Sequence, residues 1–212
     1  MAYSYVSDPA EIYRQSFSTI RSEVDLSRFP KGMDELVIRL IHACGMVDLV
    51  DDIRHSDGAF EAGMEALTRG APVLCDVEMV RHGIIRTLMP AQNEIVCLLN
   101  DAAIAPHAKQ IGNTRSAAQV DFWASRLAGA VVAIGNAPTA LFRLLELIAA
   151  GGARPALVLG MPVGFVGAAE SKQALADNPF GLPFITVLGR RGGSAMASAA
   201  VNALGGGLKA ND

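Results

Sequence analysis

The chain has 212 residues, half of them hydrophobic, and a formal net charge of -3. That length gives room for one large domain or two small ones with a substantial core. The charge excludes a strong electrostatic pull toward nucleic acid or an anionic membrane. Only four of the 18 basic residues are lysines (Lys31, Lys109, Lys172, Lys209), and arginine suits bidentate binding of carboxylate or phosphate, although a GC-rich genome gives the same bias.

A helix is expected over residues 9–24, with Asp8 as cap, Pro9 at its start, and Ile12, Ser16, Thr19 and Ile20 on one stripe. Met1 to Arg14 holds Asp8 and Glu11 but no apolar core segment, so no secretory signal is expected. Pro30 and Gly32 break the helix. The next one carries Leu36-Val37-Ile38-Arg39-Leu40-Ile41-His42-Ala43-Cys44 and stops at Gly45. It is apolar on almost every side except at Arg39 and His42, which sit three apart and share a face. A buried guanidinium costs several kcal/mol unless it is paired. Two readings fit. In one, a core histidine bonds a backbone carbonyl and the arginine bridges to an acidic helix. In the other, an acidic ligand is held by Arg39 beside a proton-transferring His42.

Ile53 to His55 reads as a short strand, and Ser56-Asp57-Gly58 introduces a helix that Gly70 closes. Pro72 to Cys75 is a short apolar run followed by a helix over Asp76 to Arg81; Glu94 to Leu99 is another apolar run. Residues 115–127 read as one helix capped by Thr114. Strands follow at Ala130–Ile134, Ala156–Leu159 and Phe184–Leu188, separated by helices that start near Asn136 and Pro138 and at Ala168. A closing helix, Ser194 to Leu204, ends in Gly205 to Gly207. Short apolar strands alternating with helices give an α/β fold, a three-layer α/β/α arrangement with a mostly parallel sheet. No repeat or long linker is present, so residues 1–212 are read as a single domain.

Ligands in such folds bind beyond the carboxyl ends of the strands. Three loops lie there: Gly135 to Thr139, Gly160 to Phe165 and Gly189 to Ser194. Each feeds a helix whose free N–H groups favour an anion. None matches a dinucleotide or P-loop fingerprint. Thr114-Arg115-Ser116 places a cation at a helix start, where the dipole disfavours it; two flanking hydroxyls suit it to a carboxylate, or the trio is an ordinary cap with a surface arginine. Asp76, Glu78 and His82 are too few for a metal site, and no metal is expected. His55 and His107 read as solvent-facing. Ser194 lacks a nucleophile elbow. Cys44, Cys75 and Cys97 have no C-x-x-C spacing and read as reduced core residues. The longest nearly apolar run, Pro155 to Ala169, falls short of the roughly 20 residues of a membrane span. A soluble cytoplasmic protein is the expectation.

Taken in order, seven segments resemble the precorrin-8X methylmutase family. They are Pro9–Phe17, Arg39–Gly45, Pro72–Val80, Thr114–Ala118, Gly135–Leu141, Gly160–Val166 and Gly189–Ser194. No single segment is diagnostic; their joint order is. The resemblance implies an isomerase of cobalamin biosynthesis that moves a methyl group from ring carbon 11 to carbon 12 of precorrin-8X, giving hydrogenobyrinate. Both are tetrapyrroles rimmed with carboxylates. It also implies His42 as the catalytic histidine, no cofactor, and a homodimer with substrate near the subunit interface. Tyr13 and Phe17 would pack on the ring face. Arg14, Arg39 and Arg115 would pair with peripheral carboxylates, and Ser16, Thr114, Ser116 and Asn136 would complete the binding set. Two alternatives stand beside it: a tetrapyrrole carrier and an unrelated nucleotide-using α/β enzyme. Nothing in the residues separates the cobalt-free branch from the cobalt-containing one.

Overall fold

A computed structural model describes residues 3–206. Six strands form one sheet: β1 (Ile53–His55), β2 (Val73–Cys75), β3 (Ile95–Val96), β4 (Val131–Ile134), β5 (Leu157–Gly160) and β6 (Phe184–Val187). Their order is β1-β6-β5-β4-β2-β3, parallel throughout except for β1, which runs antiparallel on the edge of β6. The mostly parallel α/β arrangement expected from the sequence is therefore the one observed.

The strands are apolar on both faces because both are covered. With a side-chain period of two, Val73, Cys75, Val131, Ala133, Leu157, Leu159, Ile185 and Val187 face one core. Helices α1 (Pro9–Glu23), α2 (Met33–Cys44), α3 (Ala59–Thr68), α4 (Glu78–Gly83) and α10 (Ser194–Leu204) pack on that side. Leu74, Val132, Ile134, Val158 and Phe184 face the other core, under α6 (Arg115–Asp121), α7 (Ala124–Leu127), α8 (Pro138–Ala149) and α9 (Ala168–Ala176). One more helix, α5 (Ile104–Gln110), packs beside α6 and was not foreseen.

Helix α1 starts as expected, with the Asp8 carboxylate accepting the Ala10 N–H and Pro9 in the first turn. Its inward stripe is different. Phe17, Ile20 and Val24 are buried, whereas Ile12 is 45% exposed and Thr19 faces solvent. The face that meets α2 therefore carries Tyr13, Ser16, Phe17 and Ile20: Ser16 and Ile20 lie where expected, and Tyr13 and Phe17 stand in place of Ile12 and Thr19. Helix α2 closes on Gly45, whose φ of 70° is a left-handed cap that an L side chain resists. The single helix expected over 115–127 is two, broken at Phe122 and Trp123. Of the expected terminal glycines, Gly207 lies outside the described residues.

The chain crosses from β2 outward to β3 and returns to β4 on β2's other side. The crevice between the carboxyl ends of β2 and β4 is thus a topological switch point. The helix expected from Asp76 begins at Glu78 instead. Asp76 is fully buried in that crevice and accepts the N–H groups of Gly135, Asn136 and Ala137 at 2.9, 2.9 and 2.7 Å. The amides expected to stand ready for an anion are already taken by the protein's own carboxylate. Burial pushes the Asp76 carboxyl up and these three bonds pull it back down. Gln119 locks the same corner, donating to the Asp76 carbonyl and accepting the Leu98 N–H. No helix among the described residues is long and apolar enough to cross a membrane.

Candidate functional site

Arg39 and His42 stand on a face of α2 that α1 covers only in part. They open into a cavity of 690 Å³ whose other walls come from α1, α4 and α10. From α1 comes Tyr13. From α4 come Glu78, Met79, His82 and Gly83, and from α10 Ser194, Ser198 and Asn202. Helices α4 and α10 meet closely at its wall. A Cβ on Gly83 would stand 2.5 Å from Ser198 Oγ, so only glycine fits there. Asn202 ties the junction by accepting the Ile85 N–H at 2.8 Å and donating to the Gly83 carbonyl at 3.0 Å.

The His42 ring is exposed to this cavity. Its Nδ1 lies 2.8 Å from Ser16 Oγ. Tyr13 lies beside the ring at 5.4 Å between centroids and Phe17 meets it edge-on at 5.3 Å. Three contacts from one helix thus fix the ring and leave Nε2 without a protein partner among the described residues. Burial, and then the Arg39 cation, hold the imidazole below its usual pKa of 6.5. Arg39 is half-buried, its guanidinium carbon 5.9 Å from the Phe17 ring, and its Nε is buried with no hydrogen-bond partner. The acidic side chain of Glu35 is bound instead to Arg21 at 2.8 Å. Of the two readings of this pair, the sealed core histidine with a bridging arginine is the one the coordinates contradict.

The remaining candidates fall into two places. Tyr13, Ser16, Phe17, Arg39 and His42 form one cluster. Arg14 points away and is clasped by Glu11 at 2.5 Å. Thr114 accepts the Ala117 N–H, as a cap should, and its Oγ1 lies 2.7 Å from Thr139 Oγ1. Arg115 is exposed, Ser116 half-buried and Asn136 exposed, and none of these four lines the cavity of a single chain. Glu78 is shared by Arg81 at 3.0 Å and His82 at 3.5 Å. No group of three metal-ligating side chains occurs among the described residues.

Sequence reasoning missed the α4 and α10 walls. The signal was available on α10: Ser194, Ser198 and Asn202 recur every four residues on a helix otherwise made of small and apolar side chains. Two outlying histidines are also corrected. His107 is not solvent-facing but bonds Asp121 at 2.6 Å, and His55 is half-buried beside Phe29.

Comparison with known proteins identifies the family. The family described as CbiC, precorrin-8X methylmutase, matches residues 11–206. A precorrin-8X methylmutase of Pseudomonas aeruginosa is 56% identical over 94% of this chain and 96% of its own length. One from Sinorhizobium is 54% identical over 95% and 96%. A cobalt-precorrin-8 methylmutase of Priestia megaterium is 38% identical over 92% and 87%. The solved structure of a precorrin-8X methylmutase from Thermus thermophilus superposes with a TM-score of 0.83 at 39% identity, covering 92% of this chain and 94% of that one. The chain therefore belongs to the precorrin-8X methylmutase family, isomerases that move a methyl group within one molecule in cobalamin biosynthesis.

Proposed function

We propose that this chain converts precorrin-8X to hydrogenobyrinate by moving the methyl group from ring carbon 11 to carbon 12, with His42 as the proton donor and acceptor. The observation that carries this is a single imidazole, oriented through Nδ1 by Ser16, with its other nitrogen free at a cavity wall beside an unpaired arginine. The reaction is an isomerisation within the conjugated ring, so its balance needs no oxidant and no second substrate. The protein has to hold the macrocycle in shape and place a proton that favours one tautomer. In the free protein His42 sits below its usual range. A substrate rimmed with carboxylates reverses that field, so the imidazolium forms in the complex and is a competent acid. His42 then lends its proton near the migrating methyl and recovers it afterwards.

Arg39, which lines the cavity, pairs with a peripheral carboxylate in this reading. Tyr13 and Phe17 offer the apolar face for the ring. Ser16 serves through His42. Arg14 would have to leave Glu11 to take part. Thr114, Arg115, Ser116 and Asn136 reach the substrate across a homodimer interface. The cobalt-free substrate is favoured because the relatives named for it share 56% and 54% identity, against 38% and 34% for two named for the cobalt form. Three free cysteines favour a reducing, cytoplasmic setting.

Single-turnover conversion of precorrin-8X by the purified protein, followed by its absorbance change, tests the assignment. His42→Ala should abolish conversion while still binding the coloured tetrapyrrole. Conversion at the normal rate in that variant overturns the acid role. Mixing His42→Ala with Arg115→Glu tests the dimer: activity should reappear if each subunit completes the other's site, and two inactive parents that stay inactive when mixed remove that arrangement.

A further inference from the structure

A second, smaller cavity of 310 Å³ lies next to the first. It is lined by Met46, Val163, Gly164, Phe165, Arg190, Arg191 and Gly192. The two draw different residues from the same two segments: Ala43 lines the first and Met46 the second, Ser194 the first and Gly192 the second. The two cavities are thus bordered by neighbouring residues of the same two segments, the end of α2 and the loop that leads into α10.

The chemistry of this second cavity is specific. Its floor is apolar, and Phe165 is 85% exposed at its rim. The Arg190 guanidinium lies over the Phe165 ring, 5.3 Å from its centre. Arg190 has no carboxylate partner among the described residues, whereas its neighbour Arg191 is neutralised by Asp48 at 2.7 Å and by Asp52. A guanidinium stacked on an aromatic face keeps its N–H edge available and loses little rotamer freedom on binding.

The loop that carries Arg190 is also held rigidly. Lys172 on α9 is fully buried, and its ammonium donates to the Arg191 carbonyl. The Gly193 N–H donates to the Met161 carbonyl at 2.9 Å, and the Arg190 carbonyl accepts the Gly164 N–H at 3.2 Å. A side chain on Gly192 would collide with the carbonyls of Met161 and Pro162. Burying a lysine to pin a surface loop is costly, and it makes sense where the loop must present a group at a fixed place.

We propose that Arg190, stacked on Phe165, is a specificity residue that receives a carboxylate-tipped side chain of the same tetrapyrrole whose reacting edge faces His42. The inference rests on the function proposed above. The apolar floor takes the methylene stem, and the guanidinium takes the carboxylate through paired N–H donors. The subsite contributes binding and not chemistry, because the reacting carbons lie at the other cavity.

Titration of hydrogenobyrinate into the wild type, Arg190→Glu, Arg190→Lys and Phe165→Ala, each as the full chain, tests it by absorbance. At low salt, Arg190→Glu is expected to raise Kd roughly 10- to 100-fold, the range for losing a charged hydrogen bond and adding repulsion. Arg190→Lys loses less, and Phe165→Ala falls between. The single-turnover rate at saturating precorrin-8X stays within about twofold of wild type in all three. Should Arg190→Glu fail to fold, the other two variants carry the same comparison. Binding by Arg190→Glu within twofold of wild type overturns the proposal. So does weakened binding that tracks a loss of oligomer by sedimentation, which makes Arg190 a subunit contact. If the wild type neither binds nor converts tetrapyrrole, the function reading fails; if it does, and Arg39→Glu weakens binding while Arg190→Glu does not, only the subsite fails.

Discussion

Ser16 Oγ lies 2.8 Å from His42 Nδ1, joining residues of α1 and α2 that are 26 positions apart. That bond, with the Tyr13 and Phe17 rings packed together beside the imidazole, decides which imidazole nitrogen is presented to the cavity. A side-chain hydrogen bond of this kind is worth about 1–2 kcal/mol.

Ser16→Ala should therefore slow single-turnover conversion by roughly 5- to 30-fold, by that same energy. Affinity for hydrogenobyrinate should stay within about twofold, and Ser16→Thr should recover most of the rate. Stopped-flow absorbance with a parallel binding titration reads both. An unchanged rate in Ser16→Ala would mean that ring packing alone orients His42.

Burial and Arg39 together lower the pKa of His42. Because an acid is lost as pH rises, kcat/KM should fall through a pKa below 6.5, which reports the free enzyme. The limb of kcat should lie higher, since bound carboxylates favour the imidazolium. Arg39→Met removes one lowering influence and should move the kcat/KM limb upward. It should also weaken binding about tenfold or more, for a lost charge-assisted contact. Its melting temperature should rise, because a half-buried guanidinium with an unpaired Nε disappears. A limb above 6.5 in the wild type, unmoved by that substitution, would contradict the assignment.

Asp76 is a structural prediction of a different kind. Asp76→Ala strips three N–H groups, those of Gly135 and Ala137 buried and that of Asn136 partly so, of their acceptor. The loss should be about 3–5 kcal/mol. For a chain of this size that lowers the melting temperature by roughly 10 °C. Asp76→Asn keeps one acceptor oxygen and should fall between. Thermal unfolding followed by circular dichroism measures both; a shift of only a degree or two would show that the Gly135–Ala137 turn holds its shape unaided.

Lys172 is pushed down from 10.5 to about 8, chiefly by burial, with Asp52 opposing. The folded chain thus gives up this proton near pH 8 while the unfolded chain keeps it until 10.5. Below pH 8 the burial penalty is present in full, and between those values it is relieved as pH rises. Relative to Lys172→Met, the wild type should gain about 1.4 kcal/mol for each pH unit in that window. Denaturant unfolding at pH 7, 8, 9 and 10 gives the difference directly, and parallel curves for the two proteins would count against a buried ammonium.

Much of the fold was readable because it is written in short-range terms. Asp8-Pro9 at the start of α1, Gly45 at the end of α2 and the apolar strand runs act within one or two turns of chain, so local spacing reveals them. Where two local readings compete, sequence loses. Asp76 reads as the first residue of a helix, yet a turn some sixty residues later claims its carboxylate and the helix begins at Glu78. Two of the four residues expected on the inward stripe of α1, Ile12 and Thr19, give way to Tyr13 and Phe17, because Ile12 and Tyr13 are both apolar enough to face α2 and only docking selects Tyr13.

The site divides along the same line. Sequence alone established that Arg39 and His42 share a face of an otherwise apolar helix, and that this pair requires something polar opposite it, because helical period and the cost of burying charge are properties of the residues themselves. Tertiary structure decided what stands opposite: an open cavity walled by α4 and α10, with Ser16 behind the ring and Arg190 in the adjoining pocket. Those placements depend on helices packing together on one face of the sheet, where the energy lies in contacts between residues far apart in the chain; the polar residues every fourth position along α10 mark a face, not what that face meets.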